Sequence, residues 1–352
     1  MSQQKWKADK ITSFRRQLLE WYERNRRDLP WRRSRDSYAI WISEIMLQQT
    51  RVAVVIERYQ AFIARFPTLP SLAAATEEEV LALWSGLGYY RRARMLRQAA
   101  QLAVDRYQGK LPQTAAELRL LPGIGTYTAA AVASIAYGER VAVVDGNVER
   151  VLCRMAGWSA SASVRHKVEK LAGELVDPER PGDFNQAMMD LGATLCLPRN
   201  PQCLVCPLSA GCKTQGEHQT APRPPMQSRE AACALAVRSG RTCREVLLEQ
   251  RPASLTVMPG LWELPALADA AIPSEKLRMT VRHAIMQVNY RVRIRVVSED
   301  EIESLTVHGG VRRWVPLDEA AEMALTGLAR KVLVRARLLP SAAVSKAEGK
   351  VS

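Results

Sequence analysis

Apolar residues recur three and four positions apart from Ile11 to about Leu208, most plainly in Ser71 to Leu83 and Ala129 to Ile135, which predicts helices packed by one face. No convincing alternating run interrupts them, so this half is expected to be all-helical. Proline and glycine punctuate it at Asp28-Leu29-Pro30, Phe66-Pro67, Gly86-Leu87-Gly88, Pro122-Gly123-Ile124-Gly125 and Asp145-Gly146. The segment from Lys213 to Arg229 is rich in Gln, Pro, Thr and Ser, carries Pro222, Pro224 and Pro225, and reads as an extended linker. Beyond it come short β-type runs, Ala232 to Val237, Glu245 to Glu249 and Val288 to Val297, then Trp314-Val315-Pro316 and a terminal helix near Leu325 to Leu339. The second half is therefore expected to be α+β. Ser341 to Ser352 are small and charged without pattern, and are expected to be disordered.

A chain of 352 residues exceeds what one core usually organises, and 47% hydrophobic residues can fill two. The expected division is a helical domain over 1–215, a linker over 216–229, a second domain over 230–340 and a tail over 341–352. Fifty Lys and Arg against 36 Asp and Glu give a formal charge of +14, a surplus that releases counterions on meeting a polyanion. Nucleic acid is the candidate partner, although charge alone does not choose it. Met1 to Lys10 is polar and no run approaches a membrane span, so no membrane association is expected and a reducing, cytoplasmic setting is. Seven cysteines there suit metal or redox chemistry better than disulfides.

Cys196, Cys203, Cys206 and Cys212 are spaced C-x6-C-x2-C-x5-C, whereas Cys153, Cys233 and Cys243 are scattered. Four thiolates so close suit either zinc or a 4Fe-4S iron–sulfur cluster, and would staple a loop that has no core of its own. Arg199 and Lys213 flank them, so the loop can also approach a phosphate backbone.

Leu121 to Ala129 is a glycine hairpin leading into an apolar helix. Gly123 and Gly125 allow backbone amides to face outward at the helix start, with Thr126 next, where they can hold a phosphate without reading sequence. About twenty residues on, Asp145 precedes another helix in Val143-Val144-Asp145-Gly146-Asn147-Val148, where a plain N-cap is the competing reading. Glu44 lies in Ile42-Ser43-Glu44-Ile45-Met46, an apolar context in which burial raises its pKa and keeps a proton available; the alternative is an exposed helix glutamate.

The hairpin and following Asp resemble the helix-hairpin-helix glycosylase superfamily over nearly all of residues 10–215, and the cysteine spacing resembles its cluster loop at 196–212, which implies 4Fe-4S rather than zinc. Within that superfamily the chain resembles the adenine glycosylases in Leu29 to Arg32, Ser43 to Thr50, Gly86 to Ala93 and Phe184 to Gly192. Where the endonuclease III branch carries a lysine that forms a Schiff base, this chain has Tyr127, so hydrolysis without strand cleavage is expected. The resemblance implies that Glu44 protonates adenine at N7 and that ionised Asp145 stabilises an oxocarbenium-like sugar, with Asn147 and Tyr127 supporting the centre. Trp31, Arg32, Leu47, Gln186 and Met189 match positions lining the adenine pocket, although Leu47 and Met189 equally suit helix packing. Because the base must be rotated out of the duplex, Gln49 and Tyr89 are expected to wedge the helix, with Thr50, Leu87 and Gly88 beside them; a core aromatic is the alternative for Tyr89.

Val246 to Pro252 and Met258 to Pro265 resemble the start of a Nudix domain, without the acids of its catalytic box over Ala266 to Lys276. The implied fold is an all-helical helix-hairpin-helix glycosylase domain with a 4Fe-4S loop, followed by a Nudix-like α+β domain. Such a domain in adenine glycosylases inspects the base opposite adenine through a Phe-Ser-His loop; here Arg282 to Gln287 stands in its place, leaving Ile285 and Gln287 as contacts or merely as packing. The implied substrate is double-stranded DNA with adenine opposite 8-oxoguanine or guanine, met by a monomer at the bacterial nucleoid. Rival readings are a pyrimidine-specific or bifunctional glycosylase, and a non-catalytic DNA-binding or redox-sensing protein.

Overall fold

The computed structural model describes residues 6–159, 164–217, 225–240, 243–267, 276–302 and 310–340. Half of the expected linker, most of the stretch Ala266 to Lys276 and the whole tail Ser341 to Ser352 lie outside the described residues. The chain divides into two compact units, Met1–Ala74 with Met95–Pro222, and Ala75–Arg94 with Arg223–Ser352.

The first half is helical throughout its described length. Its helices are α1 (Ala8–Asn25), α2 (Ser37–Leu47), α3 (Val52–Arg65), α4 (Leu69–Ala74), α5 (Glu77–Leu83), α6 (Arg91–Tyr107), α7 (Ala115–Leu118), α8 (Thr126–Tyr137), α9 (Gly146–Ala156), α10 (Arg165–Leu175) and α11 (Pro181–Thr194). Asp36 caps α2, its Oδ1 accepting the Tyr38 amide at 3.1 Å, and α2 is then buried from Tyr38 to Met46. A helix that is apolar all round belongs inside a core, and α8, buried from Thr128 to Ser134 with alanines at 129, 130, 131 and 133, packs against it. Gly138 ends α8 and Gly157 ends α9, both in the left-handed conformation that costs glycine little. A second core joins α1, α9, α10 and α11 through residues including Phe14, Leu18, Leu152, Val168 and Phe184.

The second unit is α+β. Its strands are β1 (Gln227–Leu235), β2 (Val237–Ser239), β3 (Arg244–Gln250), β4 (Trp262–Glu263), β5 (Ala266–Leu267), β6 (Leu277–Ile285), β7 (Val288–Val296) and β8 (Arg312–Pro316), with α12 (Glu299–Ile302), α13 (Leu317–Glu322) and α14 (Gly327–Arg335). One sheet runs β5-β1-β7-β6, with β1 and β7 parallel; the other runs β2-β3-β4, with β8 also on β3. Val246, Leu248, Val281, Val292, Ile294, Val332 and Leu333 form the core. Strand β1 starts at Gln227, inside the stretch expected to be linker. Arg282 to Ile285 correct another expectation: they are not loop but the end of β6, joined to β7 by a turn at Met286 and Gln287.

Candidate active site

Glu44 sits on the third turn of α2, 5% exposed, because the helix that carries it is buried on every side. The Tyr127 hydroxyl, on the first turn of α8, donates to Glu44 Oε2 at 2.8 Å. Burial raises the Glu44 pKa from 4.5 to about 6, opposed by the Tyr127 hydrogen bond and the Arg32 charge and assisted by the Asp145 charge. Burial likewise pushes the Tyr127 phenol well above its usual value, so it remains a donor.

Asp145 is the N-cap of α9, as the plainer reading of its sequence proposed, and it also faces the cavity that contains Glu44. Its Oδ1 accepts the Val148 amide at 2.7 Å and its Oδ2 accepts the Asn147 side-chain amide at 2.9 Å, so the carboxyl is fixed at the helix start. The chain reaches Asp145 through an irregular segment pinned by Asn185. Asn185 Oδ1 accepts the Val143 amide at 3.1 Å, while its Nδ2 donates to Val141 O and Ser134 Oγ, each at 2.9 Å. One buried amide therefore ties the approach to Asp145 onto α8 and α11. Gly192 lets α11 pass the start of α9 closely, since a Cβ there would lie 2.6 Å from Asn147 Cβ.

The cavity has a volume of about 210 Å³. It brings together all nine residues expected at the chemistry: Glu44, Asp145, Asn147 and Tyr127 with Trp31, Arg32, Leu47, Gln186 and Met189, and Thr50 as well. Met189 also places its sulfur 3.3 Å from the Tyr127 oxygen. Arg32 is fixed by a bidentate pair with Asp190, at 2.6 and 2.9 Å, and Arg27 Nε donates to the same carboxylate at 2.8 Å. Despite its burial, the Asp190 carboxyl is held below its usual pKa by the two guanidinium groups. Sequence reasoning missed Asp190, Arg27 and Asn185 as parts of the site. A charged residue among Met188, Met189 and Leu191 was the one available signal for Asp190.

Cys196, Cys203, Cys206 and Cys212 line one small cavity of about 20 Å³, none of them in a disulfide. Arg154 Nη1 lies 3.3 Å from Cys196 Sγ and donates to Leu197 O at 2.7 Å. Burial and neighbouring thiolate charge push Cys203 and Cys206 up, the latter to about 11, a repulsion that a bound cation would relieve. Among the described residues no three His, Cys, Asp or Glu gather closely enough to hold a single ion. Arg150 bridges this loop and the first cavity, donating to Cys196 O at 2.8 Å and to Asn147 Oδ1 at 2.8 Å.

The residues expected at DNA fall in both units. In the first, Gln49 is exposed with φ 57°, Gly123 has φ 76° with Met95 packed beneath it, and exposed Gly125 and Thr126 open α8 without a capping side chain. In the second, Tyr89 is 53% exposed at φ 46°, which sets aside the core-aromatic alternative. Its turn is held by Trp84 Nε1 donating to Gly88 O at 3.1 Å and by Arg92 Nη2 donating to Leu87 O at 3.1 Å. Leu87 has a buried side chain, and its amide donates to Trp84 O. Ile285 is half-buried and Gln287 exposed at the β6–β7 turn.

Residues 42–178 match the HhH-GPD superfamily, described as base excision DNA repair proteins. A thermostable thymine-DNA glycosylase of known structure is 32% identical with a TM-score of 0.55, over 59% of this chain and 97% of that one. This chain belongs to the HhH-GPD superfamily. Endonuclease III, trapped covalently on DNA, is a second HhH-GPD-like match at 26% identity and a TM-score of 0.52, over 60% of this chain and 98% of that one. Among curated proteins, the chain is 40% identical to human adenine DNA glycosylase over 337 residues, 79% of this chain and 60% of the relative. It is 36% identical to the Arabidopsis thaliana adenine DNA glycosylase, over 88% of this chain and 57% of the relative. This HhH-GPD chain thus spans about 60% of the length of the human relative. Among the described residues no helix is long and apolar enough to cross a membrane.

Proposed function

We propose that this chain is a monofunctional adenine DNA glycosylase that hydrolyses the N-glycosidic bond of adenine opposite 8-oxoguanine or guanine in duplex DNA. The observation that carries the reading is a buried carboxyl with a raised pKa, Glu44, facing the same cavity as a carboxylate held by donors, Asp145. A buried carboxyl that keeps its proton, facing a carboxylate held by hydrogen-bond donors, is the arrangement that glycoside hydrolysis requires. The target base rotates out of the stack into this cavity. Glu44, with Oε2 occupied by the Tyr127 hydroxyl, protonates adenine N7. The C1′–N9 bond breaks, its electron pair enters the protonated base, and Asp145 stabilises the positive charge left on the sugar. Water then adds to C1′ and passes a proton to the Glu44 carboxylate, which restores the acid and leaves an abasic site. Asn147 holds Asp145 in place, and Trp31, Arg32, Leu47, Gln186 and Met189 enclose the base.

Tyr127 carries no amine, and its oxygen is engaged with Glu44, so no imine with the sugar forms and the strand stays intact. Gly123, Gly125 and Thr126 offer an uncapped helix start to a phosphate, and the exposed Gln49 and Tyr89 are each available to wedge the duplex. The four thiols around one cavity would hold the 4Fe-4S cluster that their spacing resembles. When bound, the cluster supplies a rigid staple for the 196–212 loop. The second unit, resembling a Nudix domain without its catalytic acids, reads the opposite base near Ile285 and Gln287.

Duplexes carrying adenine opposite 8-oxoguanine, guanine or thymine, incubated with the protein and then heated in alkali, test this reading. Strand breaks after alkali alone, confined to the first two duplexes, are expected. Breaks without alkali, or equal breakage opposite thymine, contradict it.

A further inference from the structure

The Tyr89 turn is built into the second unit through contacts that the glycosylase reading does not use. Ser85, fully buried, and Tyr90 both donate their hydroxyls to the Leu325 carbonyl, each at 3.3 Å. Arg330, one turn into α14, donates its Nε to Ser85 Oγ at 3.1 Å and its Nη2 to Ala321 O at 3.1 Å. Ser85 thereby accepts from α14 and donates to the residue two before it. The same helical turn also meets β6. Lys331 Nζ donates to Arg282 O at 2.8 Å, and the His283 ring packs over Gly327, with Cε1 3.4 Å from where a Cβ would stand. Thr326 fixes the start of the helix by accepting the Ala329 amide, and Leu325 and Thr326 are tied to Trp262 of β4. A single helical turn therefore contacts both β6, through Lys331 and Gly327, and the base of the Tyr89 turn, through Arg330.

We infer that the first turn of α14 is a bracket that couples the β6–β7 hairpin to the Tyr89 turn, with Arg330 as its positioning residue, so that what the hairpin meets on the opposite strand biases how Tyr89 is held. The coupling rests on the adenine-glycosylase reading for its purpose but not for its existence. Displacement of the hairpin moves Gly327 and Lys331, and a packed helix turn transmits such a shift as a unit. Arg330 passes it to Ser85, next to the Gly86 to Tyr89 turn, whose left-handed residues at 86, 88 and 89 make it a two-sided hinge.

Hydrogen exchange of the full-length protein tests the bracket without reference to activity. Arg330→Met, which keeps the aliphatic stem, should speed exchange at residues 84–90 at least about threefold, Lys331→Met should do so from the hairpin side, and Arg330→Lys should restore protection in part. Unchanged exchange at 84–90 in both methionine variants overturns the inference. Single-turnover excision supplies the functional arm: Arg330→Met should lose on the order of tenfold with adenine opposite 8-oxoguanine and under about twofold opposite guanine. In a Tyr89→Ala background it should have no further effect, since the two residues act as one unit. Equal losses on both duplexes, or losses that add to those of Tyr89→Ala, overturn it as well. A wild-type protein that does not excise adenine contradicts the proposed function alone, because the exchange result stands by itself.

Discussion

Replacing Glu44 with glutamine should make the protein more stable while abolishing its chemistry. Burial holds the Glu44 carboxyl at about 6 rather than 4.5, and at 1.36 kcal/mol per unit the buried anion costs the fold on the order of 2 kcal/mol. A carboxyl raised in the folded state penalises folding fully above the folded pKa, and the penalty fades as pH falls from 6 towards 4.5. Glutamine keeps the shape, and its amide oxygen still accepts the Tyr127 hydroxyl now bonded to Glu44 Oε2. Urea unfolding of the holoprotein, followed by tryptophan fluorescence, should therefore show Glu44→Gln more stable than wild type by up to about 2 kcal/mol at pH 8, with most of the gain gone at pH 5. Excision should fall about 10²- to 10⁴-fold in the same variant, the range for losing a general acid. Equal or lower stability at pH 8, or a gain that does not shrink at pH 5, refutes the argument that desolvation sets the proton on Glu44.

Two further outcomes follow from the same geometry. Tyr127→Lys places an amine in the cavity shared by Glu44 and Asp145, and borohydride should then trap a covalent complex with substrate DNA that wild type does not form; no adduct counts against the placement. Asn185→Ala removes the partners of the Val143 amide and the Val141 carbonyl, and should lower stability by about 1–3 kcal/mol and slow excision without raising the half-saturating DNA concentration, as chemical unfolding and single-turnover titration would show.

The helical half was legible because its apolar residues keep the helical period between breaks at Pro and Gly, as at Phe66-Pro67, which follows α3, and Pro122 to Gly125, which precedes α8. The site was legible where chemistry leaves a local trace. Glu44 sits in a helix with no polar side, and Asp145 could be read both as a cap and as a carboxylate of the site, because one side chain does both. Buried polar residues whose partners lie far along the chain left no such trace. Asn185 is bonded to residues 134, 141 and 143, and Asp190 to Arg27 and Arg32. The affiliation of residues 75–94 with the second unit was invisible for the same reason, since it rests on Ser85 and Tyr90 meeting Leu325 across more than 200 positions. Strand β6 was missed because Arg282 to Gln287 stood where the resemblance implied a loop; the alternation of Thr280 and Arg282 with Val281 and His283 argued for a strand all along.

The pH dependence of single-turnover adenine excision tests the central claim most directly, since it asks whether the proton given to the base is the one held by Glu44. With the carboxyl at about 6 in the free protein, and further desolvated once a base fills the cavity, the rate should plateau at low pH and fall about tenfold per unit above a midpoint at or above 6. Tyr127→Phe, which removes a hydrogen bond that favours the anion, should carry that midpoint upward by on the order of one unit. A rate that stays level across pH 5.5 to 8.5, or a midpoint that Tyr127→Phe moves downward, would contradict it.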